Sequence, residues 1–302
     1  MNTKAHFIGM EEVTMKAIVH ALQEQGHSIT TCTPDLPTAS IQHVNTNHSC
    51  QKHSREIDDK SPAAVVVGRN VDKHHEAVKK SQQVATTLYS YPAYLQAYAT
   101  DKQRIVVIGN EEILAKFFAI LIHVMNYWKR AFDYATLFTD ATITPTVHLS
   151  DAPLIFLQGD ITPFSNLDTR IVASIYQPHI VVMLDIPQYT CDAQAYESPR
   201  TILQHIADDI PKAGKLIYNK EIADLCTVGV KDREDVASIP FQTQVYKKDK
   251  RTGAITTPQG AQLAKTFTDD TSLQALAGVA TVLQGCAITL PLFYEAIQSY
   301  AE

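Results

Sequence analysis

The sequence predicts an α/β protein with two mainly parallel sheets. Three observations lead there. Short apolar runs alternate with amphipathic helical patterns from the N-terminus onward, and that β-α-β-α order argues parallel strands joined by right-handed crossovers. The pattern restarts near Asp101 with a fresh buried strand, Arg104 to Gly109. The length of 302 residues suits about two domains. The expected division is residues 1–100 and residues 101–302.

In the first unit, Ala5 to Gly9 reads as a strand. Glu11 to Gln25 reads as an amphipathic helix, because Met15, Ile18, Val19 and Leu22 fall on one face. His27 to Cys32 is a second strand. Residues 33–62 are polar and interrupted by Pro34, Pro37 and Pro62, so an irregular connection is expected. Ala63 to Val67 is a third, fully buried strand, followed by a polar helix from about Asp72 to Gln83. A strand at Thr86 to Tyr89 and a short helix at Pro92 to Tyr98 complete the unit.

In the second unit, the apolar helix Glu111 to Met125 follows the strand that ends at Gly109. Further strands are expected at 132–137, Leu154 to Leu157, Ile180 to Asp185, Lys215 to Tyr218, Cys226 to Val230 and Gln244 to Lys247. A helix is expected at about 197–209. Gly253 suits a hairpin turn. Two helices, Ser272 to Gln284 and Leu292 to Tyr300, close the chain. No internal repeat stands out.

Composition narrows the function classes. Hydrophobic residues make up 45% and charged residues 19%, a globular mix. A net charge of −6 argues against nucleic acid, whose binding needs a basic face to displace counterions. No apolar run approaches the roughly 18 residues of a membrane span, and Phe117 to Met125 is broken by His123. The N-terminus shows no signal-peptide core. Cys32, Cys50, Cys191, Cys226 and Cys286 are odd in number and widely spaced, which suits reduced thiols and a cytoplasmic protein.

Both strand-to-helix turns stand where α/β proteins bind phosphates, since a helix N-terminus offers free N–H groups and a partial positive charge. The first reads Gly9, Met10, Glu11, Glu12, Val13, Thr14, and the second Gly109, Asn110, Glu111, Glu112, Ile113, Leu114. Each keeps only its first glycine and carries a Glu-Glu pair, which satisfies the helix dipole internally and repels a phosphate. A phosphate loop would have a lysine and a hydroxyl where Ile113 and Leu114 stand. The remaining candidates are weaker. His43, His48, Cys50 and His53 are irregularly spaced for a metal and read as loop residues, with a metal site as the alternative; His74 and His75 are adjacent. Asp208-Asp209 and Asp269-Asp270 read as helix flanks or caps. His123 reads as a core or interface histidine. No G-x-S-x-G elbow is present.

Several stretches, taken in order, resemble the Mur ligases, the ATP-dependent amino-acid and peptide ligases of peptidoglycan synthesis. They are His6 to Gly9, Val65 to Gly68, Ser90 to Tyr94, Asp101 to Gly109, Leu149 to Pro153, Gly159-Asp160, Ile210 to Gly214 and Phe293 to Ile297. The branch resembled most joins an amino acid or murein peptide to UDP-N-acetylmuramate. The resemblance implies a Rossmann-like UDP-sugar domain, a P-loop-type central ATPase domain and a third domain, which would start where this chain stops. It also implies ATP and Mg²⁺ as cofactors, held by working residues that this sequence departs from. The G-x-G-G-x-G-M turn is Gly9 to Met15. The G-T-H-G-K-T/S loop is Gly109 to Leu114. The central E-x-D-E is Gln158 to Ile161, in which Asp160 alone remains. A D-H pair falls on Tyr189-Thr190, and a late H-N pair near Thr271-Ser272.

On that basis the expected function is that of a non-catalytic Mur ligase-like protein, without ATP, Mg²⁺ or another metal. It would act as a binding or regulatory partner in peptidoglycan-precursor metabolism. The expected protein partner would sit where the third domain would pack, on apolar surface near Leu292, Phe293 and Ile297. The alternatives are a ligase working with unusual residues or a partner's domain, and a UDP-sugar-binding protein whose affinity is low.

Overall fold

The computed structural model describes residues 4–32, 64–83, 86–138, 140, 142–187, 197–230, 233–249, 255–258, 260, 262–263, 267 and 269–300. The cluster His43, His48, Cys50 and His53, the pair Tyr189-Thr190 and Gly253 lie outside them.

The first sheet is made by β1 (Lys4–Ile8), β2 (Ser28–Cys32), β3 (Ala64–Val67) and β4 (Thr87–Ser90), in the order β2-β1-β3-β4, all parallel. Alternation along the strands explains why both faces are covered. Phe7 and Val66 point to one side, with Met15, Ile18 and Leu22 of α1 (Val13–Glu24). Ile8, Val65 and Val67 point to the other, with Ala77 and Val78 of α2 (Glu76–Gln83). The Ser90 side chain accepts the Ala93 N–H and caps α3 (Tyr91–Tyr98), whose second residue is the helix-starting Pro92.

The second sheet has seven strands in the order β11-β10-β9-β5-β8-β6-β7. They are β5 (Gln103–Ile108), β6 (Asp133–Ala135), β7 (Val147–His148), β8 (Leu154–Gln158), β9 (Ile180–Met183), β10 (Lys215–Asn219) and β11 (Ala237–Phe241). Only the pairing of β7 with β6 is antiparallel. Ile105 and Val107 of β5 face α4 (Glu111–Tyr127) and the closing helices α8 (Asp270–Gln284) and α9 (Leu290–Ile297). Val106 and Ile108 face the opposite way, into a cluster that also holds Phe7, Met15, Tyr91 and Leu95 of the first unit. Three shorter helices complete this unit: α5 (Val172–Ile175), α6 (Pro199–Asp208) and α7 (Ala223–Gly229).

Residues 99–102 connect the two sheets and are held by buried charge. Lys102 pairs with the fully buried Asp133 at 2.8 Å and donates to the carbonyls of Ser150 and Ala152 at 2.6 and 2.7 Å. The Arg104 guanidinium donates to the carbonyls of Ala99 and Tyr176, each at 2.9 Å.

Three expectations are corrected, and two strands were missed. Cys226 to Val230 is not a strand. Its first four residues end helix α7, with Val230 as the C-cap, and Leu225 and Val228 of that helix are buried three residues apart. Gln244 to Lys247 is mostly a 3₁₀ turn, Thr243–Val245, ahead of a two-residue strand β12 (Lys247–Lys248) that pairs antiparallel with β13 (Ile255–Thr256). Strand β11 was not expected, and β7 was not either. The apolar residues of the last helix are not open: Phe293 and Ile297 are fully buried, and Leu292 is half-buried. They are covered because α9 folds back on α4, with the Trp128 indole donating to the Leu292 carbonyl at 3.0 Å. Among the described residues, no helix is long and apolar enough to cross a membrane.

Candidate functional site

Topology decides where a ligand site can form. In the first sheet, the chain leaves β1 for β2 on one side and later returns to β3 on the other. In the second, β5 lies between β8 and β9. Loops diverge at such switch points and leave a crevice beyond the carboxyl ends of the strands. Both crevices open into one cleft of about 910 Å³. Residues following β1, β3, β5, β8 and β9 all contribute to its wall.

From the first turn, Glu12, Val13 and Thr14 line the cleft, while Gly9, Met10 and Glu11 do not. Gly9 has φ of +102°, a backbone state that favours glycine, and it packs close to Val71. Met10 is buried. The Glu12 carboxylate reaches across to the loop after β3 and accepts the Asn70 N–H at 2.9 Å. It lies so close to Gly68 that a Cβ there would stand 2.7 Å from its oxygen.

From the second turn, Gly109, Asn110, Glu111, Glu112 and Leu114 line the cleft. Ile113 does not; it is buried against Gly109 and the α4 core. The Asn110 side chain caps α4 by accepting the Ile113 N–H at 3.0 Å, and its amide donates to Asp185 after β9. Glu111 and Glu112 are exposed. Glu112 stands 3.6 Å from Lys116, which is also held at 3.0 Å by Asp269.

Asp160 lies at the end of β8 and is 3.7 Å from Arg69, whose guanidinium stacks over the Phe164 ring at 5.4 Å. Gln158 is turned to the Leu137 N–H at 2.5 Å. Behind Phe164 the ring of Tyr91 is stacked at 6.4 Å, and Tyr176 lies close by. Both tyrosines are fully buried, and their hydroxyls have no hydrogen-bond partner among the described residues. Burial pushes the Tyr91 pKa up, and the Glu12 charge adds to it; Tyr176 is raised by burial, then by Tyr91 and Asp160.

The structure therefore gathers two turns and one strand-end acid, read separately in the sequence, into one site. Sequence reasoning missed Arg69, Asn70, Leu137, Phe138, Phe164 and Pro187. Arg69 and Asn70 had a usable signal, since they follow directly on the strand Ala63 to Val67. Thr271 and Ser272 start α8, and Ser272 is buried against Asp269. His123 is a packing residue, its ring 2.9 Å from the Ala296 carbonyl. His74 and His75 sit in the turn before α2, and no group of three potential metal ligands occurs among the described residues.

Two parallel α/β sheets sharing a cleft at their switch points define the class of this molecule. No protein-family model and no curated protein sequence matches the chain. Solved structures do. The chain is similar to the UDP-N-acetylmuramate:L-alanyl-γ-D-glutamyl-meso-diaminopimelate ligase of Neisseria meningitides, with a TM-score of 0.74 and 13% identity over 99% of both chains. It is similar to the murein peptide ligase of Psychrobacter arcticus, with a TM-score of 0.70 and 14% identity over 98% of this chain and 68% of that one. The UDP-N-acetylmuramate–alanine ligase of Thermotoga maritima gives 0.68 and 10% identity, over 98% of this chain and 68% of that one. The fold is Mur ligase-like.

Proposed function

We propose that this chain is a non-catalytic protein on a Mur ligase-like fold, a cytoplasmic binding or regulatory partner in peptidoglycan-precursor metabolism. The observation that carries this reading is the charge of the cleft. Glu12, Glu111, Glu112 and Asp160 face it against Arg69, which leaves three net negative charges. The residues present do not fit Mg²⁺–ATP. Ile113 is buried and apolar where the resemblance asks for a lysine, and Leu114 offers no oxygen to a metal. The α4 N-terminus is already capped by Asn110. Like charges repel by about 1 kcal/mol at 4 Å in bulk water and by about 4 kcal/mol at the effective permittivity of a protein surface. The first turn is no better suited to a UDP-sugar, because the Glu12 carboxylate already takes the Asn70 N–H.

Isothermal calorimetry and thermal shift with ATP–Mg²⁺, and separately with UDP-N-acetylmuramate, test this reading, together with phosphate release. A ligand at 100 times its Kd would stabilise the fold by about 2.7 kcal/mol. The expected result is no stabilisation by ATP–Mg²⁺ and no phosphate release, in wild type and in Ile113→Lys with Leu114→Thr, because catalytic parts that act as a unit are not restored singly. Micromolar ATP affinity or turnover in the wild-type protein overturns the reading.

A further inference from the structure

We propose that His179 and Arg104 form an acid-sensitive lock on the junction between the two sheets. The inference is independent of what the cleft binds. Arg104 stands at the start of β5 and is buried. Its guanidinium gathers the carbonyls of Ala99, Thr100 and Lys102 from the junction, at 2.9, 3.1 and 3.5 Å. It also takes those of Tyr176 and Gln177, just after α5, at 2.9 and 3.1 Å. Burial lowers its pKa, and no carboxylate among the described residues pairs with it.

His179, just before β9, meets Arg104 at both main-chain groups. Its own N–H donates to the Arg104 carbonyl at 2.9 Å, and its ring Nδ1 accepts the Arg104 N–H at 3.1 Å. An accepting Nδ1 leaves the proton of the neutral imidazole on Nε2. That nitrogen stands 3.5 Å from Arg104 Nη2, donor facing donor. A second ring proton would take away the acceptor of the Arg104 N–H and set a second cation beside an unpaired one. Burial and then the Arg104 charge oppose it, so the His179 pKa is lowered.

The other charged groups nearby give no relief. In the junction, Lys102 is taken by Asp133. Lys215 of β10 donates its main-chain N–H to the His179 carbonyl, but its side chain lies beside Gly285. At the turn before β10, Lys212 is a further cation and Asp235 is paired with Arg233. Protonation of His179 therefore loosens the bonds that tie residues 99–104 to residues 176–179. The unfolded chain takes up this proton first. The contribution to stability is whole above the ordinary imidazole value of about 6.5 and is lost as the pH falls from there toward the lower folded value.

The test is hydrogen exchange of the full chain, read by mass spectrometry over residues 99–106 at about pH 7.5 and about pH 5, on either side of the ordinary imidazole value. Rates are corrected for the intrinsic effect of pH. Wild type is expected to exchange faster at the lower pH. His179→Asn is expected to lose that acceleration, because its amide oxygen still accepts the Arg104 N–H and does not titrate. His20→Asn, at an exposed position of α1, is expected to keep the wild-type response. NMR titration of the wild-type His179 ring needs no variant and is expected to fall below the ordinary imidazole value. No acceleration in wild type, an undiminished acceleration in His179→Asn, or a His179 ring that titrates at or above the ordinary value overturns the proposal.

Discussion

Lys102 shows how much one side chain can decide. It pairs with Asp133, donates to two carbonyls and lies 5.3 Å from the Tyr98 ring. Removing one member of a buried pair strands the other charge, at a cost of about 3–5 kcal/mol. Lys102→Met is therefore expected to lower the unfolding free energy by about 3 kcal/mol in urea, and Lys102→Met with Asp133→Leu to recover most of that loss. The tyrosines behind the cleft act in the opposite sense. Tyr91→Phe and Tyr176→Phe each remove a buried hydroxyl with no partner among the described residues. Each is expected to raise the unfolding free energy measured in urea, by up to about 1 kcal/mol. A drop in the midpoint would show that those hydroxyls are satisfied.

At the scale of elements, the α8 cap gives a pH-dependent prediction. Burial opposes ionisation of Asp269, but the Ser272 hydroxyl and N–H and the Lys116 ammonium outweigh it and hold its pKa at about 2. A carboxyl depressed in the folded state stabilises above its unfolded pKa, near 4, and that contribution is lost as the pH falls toward 2. Asp269 is half-exposed, so solvent screening reduces the contribution to roughly 1 kcal/mol. Asp269→Ala is expected to lower stability by about that amount at pH 7 and to flatten its fall between pH 4 and 2, read by urea titration at each pH.

Elements with strong periodicity were legible in the sequence, and the exceptions have physical reasons. α4 carries apolar residues on every buried position, and β5 does so from Ile105 to Ile108. β11 hides because it is an edge strand with mostly exposed residues and contains Pro240, which an edge tolerates. The run Cys226 to Val230 is too short for its period to tell helix from strand. Its Gly229 lies flat against the Tyr218 ring, which only a helix packed on β10 explains. The site was half-legible. Both turns announced themselves by following buried strands. That they face one another, with Arg69 and Phe164 between them, depends on strand order, which no local pattern encodes.

At the scale of the molecule, the cleft's position follows from strand order and its sign from side chains. The same topology that brings five strand ends together also sets Glu12, Glu111, Glu112 and Asp160 around one space. The apolar layer shared by the two sheets has a separate consequence. Phe7, Met15 and Leu95 belong to one continuous cluster with Val106, Ile108, Leu157 and Tyr176. Neither half can melt without stripping the other of its lining. Scanning calorimetry is therefore expected to show one endotherm, with calorimetric and van't Hoff enthalpies in agreement; two resolved peaks would refute the coupling. A gene divided after residue 100 should yield two insoluble fragments when each is made alone and a soluble pair when they are expressed together, each completing the other's core.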